Sequence, residues 1–276
     1  MKDHITIKGR DGTFTAYIAR PETLPAPAVI VLQELFGVNA DIREKCDELA
    51  EQGFLAIAPD LFWRQEPGVD LGVRSEADWQ HGLRLYAAYN RDEGVKDIKD
   101  TIDAAGKMPE CTGKIAVLGY CLGALMVFLT AVRNRVDAAV AYHGSDTEKY
   151  LGEVDGLHAA LLMHLGEEDE FISKPAQAAI KAALAEKPNA TVYSYPGQCH
   201  AFSRNNGAHY NAKAAALAAS LNSFTPPALP RPPISTCAFT TTLPPSSVVI
   251  RSTSAGSEVT SPAGTGTPKL ARRSLD

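Results

Sequence analysis

The sequence predicts an α/β protein built on a mostly parallel sheet with helices on both faces. Three observations carry that expectation. Short continuous apolar runs, such as AVIVL at 28–32, read as strands buried on both faces. Helical segments separate these runs, the pattern of parallel strands joined by crossover helices. Near residue 121 a strand run passes directly into an apolar helix, with two glycines at the junction.

In chain order, residues 5–8 and 14–19 flank the turn cluster Gly9-Arg10-Asp11-Gly12 and predict an N-terminal hairpin. Residues 28–32 form the first buried strand. Asn39 is an N-cap for a helix running to about Gln52, with Gly53 just past its end. Residues 54–58 are the next strand, stopped by Pro59-Asp60. Residues 75–107 are helical with a break near Gly94. A strand over 114–118 and an apolar helix over 122–132 follow. Strands over 138–142, 160–165 and 191–195 and helices over 174–186 and 210–221 complete the pattern. Such a sheet places its site at the carboxyl ends of the strands. The loops after Leu32, Leu118, Leu165 and Tyr195 are therefore where chemistry is expected.

Composition narrows the classes. The chain has 276 residues, 45% apolar and 21% charged, as an ordinary globular protein has. A net charge of −5 leaves no basic excess for nucleic acid. No apolar run approaches the ~18 residues of a membrane span. The N-terminus MKDHITIKGRDG lacks the apolar core of a signal peptide. Five cysteines without a CxxC pair make no disulfide framework, so a cytoplasmic protein with reduced thiols is expected. Composition changes near Phe224: Pro, Ser and Thr supply 26 of the residues 225–276, and nine of 18 prolines lie there. Such a segment buries too little apolar area to offset its ordering entropy, so 225–276 is expected to be a disordered tail after a folded domain at 1–224.

Gly119-Tyr120-Cys121-Leu122-Gly123 lies at the strand-to-helix junction. This G-x-C-x-G is the thiol form of a nucleophile elbow, with Cys121 at the apex of a tight turn. The helix N-terminus favours thiolate over thiol, and the backbone N–H of Leu122 can face a developing oxyanion. A cysteine nucleophile needs a base, and the base an orienter. Downstream, LLMHL runs into Gly166-Glu167-Glu168-Asp169-Glu170, and TVYSYP runs into Gly197-Gln198-Cys199-His200-Ala201-Phe202. An acid in one strand-end loop and His200 in the next is the required order. The local pattern leaves Glu167, Glu168, Asp169 and Glu170 open. His143 ends a strand but has no acid in the right order after it, and His164 lies inside a strand, where a packed role is expected. Cys46 and Cys111 read as structural. Cysteine and histidine spacings form no zinc motif, and there is no phosphate-cradling glycine loop, so neither metal nor cofactor is expected.

These pieces resemble the dienelactone hydrolase family, the carboxymethylenebutenolidases. The resemblance runs from about residue 28 to 224. It rests on Gln33-Glu34-Leu35-Phe36-Gly37-Val38-Asn39, Ala58-Pro59-Asp60-Leu61-Phe62, the elbow, Gly166-Glu167-Glu168-Asp169 and His200-Ala201-Phe202-Ser203-Arg204. It implies an α/β-hydrolase fold for residues 1–224 and a triad of Cys121, Asp169 and His200, the family's G-x-x-D selecting Asp169. It further implies that Glu34 partners the resting thiol and takes its proton when substrate arrives. The N–H of Leu35 is then the second oxyanion donor, Arg204 engages a substrate carboxylate, and Phe36 and Phe202 contact substrate. Family members acting on dienelactone use a second arginine on the helix after the Asp60 loop; Arg74 and Arg84 are the candidates here. The implied function is hydrolysis of a small anionic lactone or enol ester, as in aromatic compound degradation. The partner is then a small-molecule substrate, and the chain a monomer or weak oligomer. A generic carboxylesterase or thioesterase on neutral esters, and a non-catalytic ligand-binding relic, are the alternatives.

Overall fold

Val29 and Val31 point to one face of their strand and Ile30 and Leu32 to the other, and all four are shut off from solvent. Side chains alternate along a strand, so a strand apolar at every position must be covered on both sides. The computed structural model describes residues 4–222. The hairpin β1 (His4–Lys8) and β2 (Thr13–Ala19) is antiparallel, and β2 pairs antiparallel with β4 (Leu55–Pro59). From β4 the sheet continues through β3 (Ala26–Leu32), β5 (Cys111–Tyr120), β6 (Ala138–Tyr142), β7 (Ala160–Gly166) and β8 (Ala190–Tyr195), all parallel. This is the α/β-hydrolase arrangement expected.

One core layer packs Val29, Val31, Ala56 and Val140 against Ile42, Cys46 and Leu49 of α1 (Ala40–Glu51), with Ala218 of α6 (Ala212–Leu221). Asn39 caps α1 as expected, its side chain accepting the N–H of Ile42. The other layer packs Ile30, Ile57 and Val117 against α4 (Leu122–Arg133) and Ile98 of α3 (Arg91–Gly106). In α4 every residue from Leu122 to Val132 is buried, as an all-round apolar helix requires. Truncating Leu125 or Leu129 there would cost about 2–5 kcal/mol. The helix α5 (Lys174–Ala185) completes the set after α2 (Glu76–Ala88).

The break in the 75–107 segment falls at Tyr89-Asn90, not at Gly94. Tyr89 is extended, and the Asn90 side chain accepts the N–H groups of Asp92 and Glu93 to start α3. Gly94 lies inside α3 because a Cβ there would come within 2.0 Å of the Tyr89 hydroxyl. Its glycine answers a close approach, not a chain break. Cys111 opens β5. A 3₁₀ segment over Thr147–Gly156 was not foreseen, since its residues carry no apolar period. The expected tail at 225–276 and the end of the 1–224 domain lie outside the described residues.

Candidate active site

β5 ends at Tyr120 and α4 begins at Leu122, so Cys121 alone makes the turn, with φ 52° and ψ −112°. A side chain at positive φ costs on the order of 1–3 kcal/mol, held here by the buried helix behind it. The flanking glycines are sterically required. A Cβ on Gly119 would lie 2.3 Å from the Gly123 carbonyl oxygen, and one on Gly123 would lie 2.2 Å from that of Leu32. The Cys121 N–H donates to the Tyr142 carbonyl at 3.0 Å, tying the elbow to β6. The thiol is buried, and Ser145 Oγ lies 4.0 Å from its sulfur. Leu122, in the first turn of α4, has no intrahelical acceptor for its N–H.

Asp169 follows β7 and His200 follows β8. His200 Nδ1–H donates to Asp169 Oδ2 at 2.8 Å, with Oδ1 at 3.1 Å. Asp169 Oδ1 also accepts the N–H groups of Phe171 and Ile172, which locks the carboxylate. Of the four acids in the loop, Asp169 is the buried one on the imidazole. Glu168 pairs with Lys174, and Glu170 Oε2 accepts the backbone N–H of His200 at 3.1 Å. Burial opposes charge on the His200 ring, yet Cys121 and then Asp169 beside it raise its proton affinity above the usual histidine range. His200 Nε2 is buried without a hydrogen bond of ordinary geometry, although the ring and the sulfur couple electrostatically.

His143, set aside in the sequence, stands against this relay. Its ring is edge-on to His200 at 4.6 Å, at φ 45°, with Nδ1 unpartnered and Nε2 3.5 Å from Ser203 Oγ. Burial and the neighbouring His200 and Arg204 charges keep it neutral. His164 is packed, as expected.

Glu34, just past β3, is 3% exposed, and its Oε2 accepts from Arg204 Nε at 2.5 Å. Among the described residues the hydrogen-bond partner of the Glu34 carboxylate is Arg204. A buried guanidinium needs a counter-charge, and a carboxylate satisfies it better than it satisfies a neutral thiol. Glu34 Oε1 and Arg204 Nη2 remain buried without partners. The Arg204 guanidinium sits 5.0 Å from the Phe36 ring and 5.8 Å from Trp79, and Phe36 meets Trp79 edge-on at 4.9 Å. Phe202 packs into the core against Tyr195 and His143. Leu35 is pressed onto α2, where a Cβ on Gly82 would come within 2.3 Å of its side chain.

Of the two arginine candidates, Arg84 is exposed and Arg74 is an exposed donor to the Asn206 carbonyl. Three neighbours were missed. Trp79 and Tyr86 share a face of α2 with Gly82, at i, i+7 and i+3. Tyr86 donates to Asp146 at 2.7 Å, and Cys121 contributes to holding its phenol protonated after burial and Asp146. Ser145 is the third. The α2 periodicity could have pointed to Trp79 and Tyr86; nothing local marks Ser145. Near the relay, Glu170, Cys199 and His209 form a three-donor group able to hold a metal ion.

Residues 14–224 match the Dienelactone hydrolase family. A carboxymethylenebutenolidase from Pseudomonas putida is 37% identical over 219 residues, covering 79% of this chain and 93% of that protein. Carboxymethylenebutenolidase 1 from Cupriavidus pinatubonensis is 31% identical over 219 residues, with coverage of 79% and 93%. A dienelactone hydrolase-like promiscuous phosphotriesterase from metagenomic libraries shares the fold, with a TM-score of 0.65 at 22% identity over 78% of this chain and 93% of that one. With the match spanning the sheet from β2 onward, the elbow and the loops of Asp169 and His200, this chain belongs to the dienelactone hydrolase family.

Proposed function

We propose that this ester hydrolase opens a small anionic lactone or enol ester by acyl transfer through Cys121. The reading is carried by the Asp169–His200 pair, with Cys121 coupled electrostatically to its ring and the buried, half-satisfied Arg204 beside it. A substrate carboxylate at Arg204 Nη2 competes with Glu34 for the guanidinium and frees Glu34 to take the Cys121 proton. The thiolate attacks the carbonyl carbon, and the N–H groups of Leu35 and Leu122 hold the oxyanion. The C–O bond breaks, and the enolate leaves with the proton of the His200 imidazolium. Neutral His200 then takes a proton from water, whose oxygen adds to the thioester carbonyl. The C–S bond breaks, the new carboxylic acid loses its proton to solvent, and Cys121 recovers its proton from Glu34. Asp169 keeps the imidazole in one tautomer throughout. Phe36 and Trp79 form the aromatic wall beside the carboxylate, and Phe202 supports the His200 loop from behind.

A thiol nucleophile suits a reducing cytoplasm, and no described helix is long and apolar enough to cross a membrane. The test compares an anionic enol lactone with a neutral aryl ester. Arg204→Met combined with Glu34→Gln, which leaves no buried unpaired charge, should raise KM for the lactone at least tenfold more than for the aryl ester. Equal changes on both substrates would favour a generic carboxylesterase.

A further inference from the structure

Outside the relay, loops after β7 and β8 gather three donor types that no motif links. One carboxylate oxygen of Glu170, the sulfur of Cys199 and one ring nitrogen of His209 all lie within 4.8 Å of one another. The group is organised around the backbone of one residue, His200. Glu170 Oε2 accepts the His200 N–H at 3.1 Å, and His209 Nδ1–H donates to the His200 carbonyl at 3.1 Å. Cys199 is the preceding residue. The two loops are pressed together, since a Cβ on Gly166 would lie 2.5 Å from the Gln198 carbonyl oxygen. The Glu170 and His209 side chains are each 44% exposed, so an ion can reach them from solvent.

Thiolate, imidazole and carboxylate together are a donor set for zinc, whereas calcium and magnesium want oxygens alone. Tetrahedral zinc bond lengths put donors about 3.3–3.6 Å apart. Closing from at most 4.8 Å therefore takes up to about 1.5 Å, within reach of half-exposed side chains. Three protein donors leave a fourth position for water. Burial and then Glu170, Asp169 and Glu168 hold the Cys199 thiol protonated. The same negative charge draws a cation, and binding would release that proton to solvent.

We propose that Glu170, Cys199 and His209 form a binding site for a zinc-class divalent cation that slows hydrolysis by drawing Glu170 and His209 off the His200 backbone. Its metal-binding half stands apart from the hydrolase reading; the slowing rests on it. The first test uses Co²⁺ as probe on the full chain carrying Cys121→Ala, which removes the relay thiol and needs no turnover. A thiolate-to-cobalt absorption band should saturate at one equivalent. Cys199→Ser should abolish it, and His209→Ala or Glu170→Gln should weaken the midpoint more than tenfold. A band that survives Cys199→Ser, or no band at all, overturns the site. The second test titrates Zn²⁺ into the Cys121-intact chain. Chelator-reversible inhibition should weaken more than tenfold in His209→Ala. Inhibition unchanged by that substitution would place the ion on Cys121 and His200 and overturn the coupling.

Discussion

His164, inside β7, and His143, just past the end of β6, are buried histidines joined by a 2.8 Å bond from the His143 N–H to the His164 carbonyl, yet their surroundings differ in kind. Around His164 every polar atom is used. Nδ1 accepts the Tyr195 hydroxyl at 2.7 Å, and Nε2–H donates to Asn222 Oδ1 at 3.0 Å. Asn222 in turn donates to the Tyr142 hydroxyl at 2.8 Å, and the His164 ring stacks on Tyr142. Around His143 and His200 the reverse holds. His143 Nδ1, His200 Nε2, Glu34 Oε1 and Arg204 Nη2 are all buried without hydrogen-bond partners. Polar burial around His164 is answered within the fold, whereas the four atoms around His200 and Arg204 are left for a ligand to complete.

That contrast breaks most sharply at the thiol. Cys121→Ala should lower turnover on the order of 10⁴-fold or more, since no other group at the elbow can carry the acyl chain. Alkylation by a substrate-like electrophile followed by peptide mapping should find Cys121, and a label on Cys199 would sink the assignment. His200→Ala should cost on the order of 10³-fold in kcat/KM, and Asp169→Asn less, because it keeps geometry and loses only tautomer control. Greater sensitivity at Glu167 or Glu168 would mean that the acid has been misplaced.

The satisfied cluster should respond in stability. Burial pushes His164 down to about 4 from 6.5, so between those values the unfolded chain binds a proton that the folded chain refuses. Stability therefore falls as pH drops from 6.5 through about 4, by up to about 3 kcal/mol, and the term is flat above. Asp41, pushed up to about 6 by burial and Glu34, contributes with the opposite sign. The His164 share is thus the difference between the wild type and His164→Phe in denaturant unfolding at several pH values. An identical acid-side fall in both proteins would refute it.

The smallest effect tests the boundary between the two clusters. His143→Asn keeps a residue tolerant of positive φ but removes the ring against His200. It should reduce kcat about tenfold, roughly 1.4 kcal/mol, with KM little changed. A loss in folding stability alone would move His143 into the structural cluster.

Much of the candidate site was legible because it is local. The elbow is written in five consecutive residues, since strand, turn and helix must meet there without room for a Cβ at Gly119 or Gly123. Glycine was misleading at Gly94, where the crowding comes from Tyr89 and not from a turn. The choice of Asp169 among four acids needed the family resemblance, because four acids in a row look alike until a loop buries one of them against a ring.

By itself the sequence determined the strand and helix alternation, the order nucleophile–acid–base and the loops where they sit, because periodicity and turn chemistry act over neighbouring residues. Tertiary structure alone decided which partners those residues take. Glu34 lies on Arg204, 170 positions away. His143 lies against His200, Trp79 against Arg204, and Glu170 and His209 on the backbone N–H and carbonyl of His200. Those pairings depend on where distant loops converge at the ends of a parallel sheet, and on burial, which fixes how strongly a charge must find its opposite. Neither quantity exists until the chain has folded.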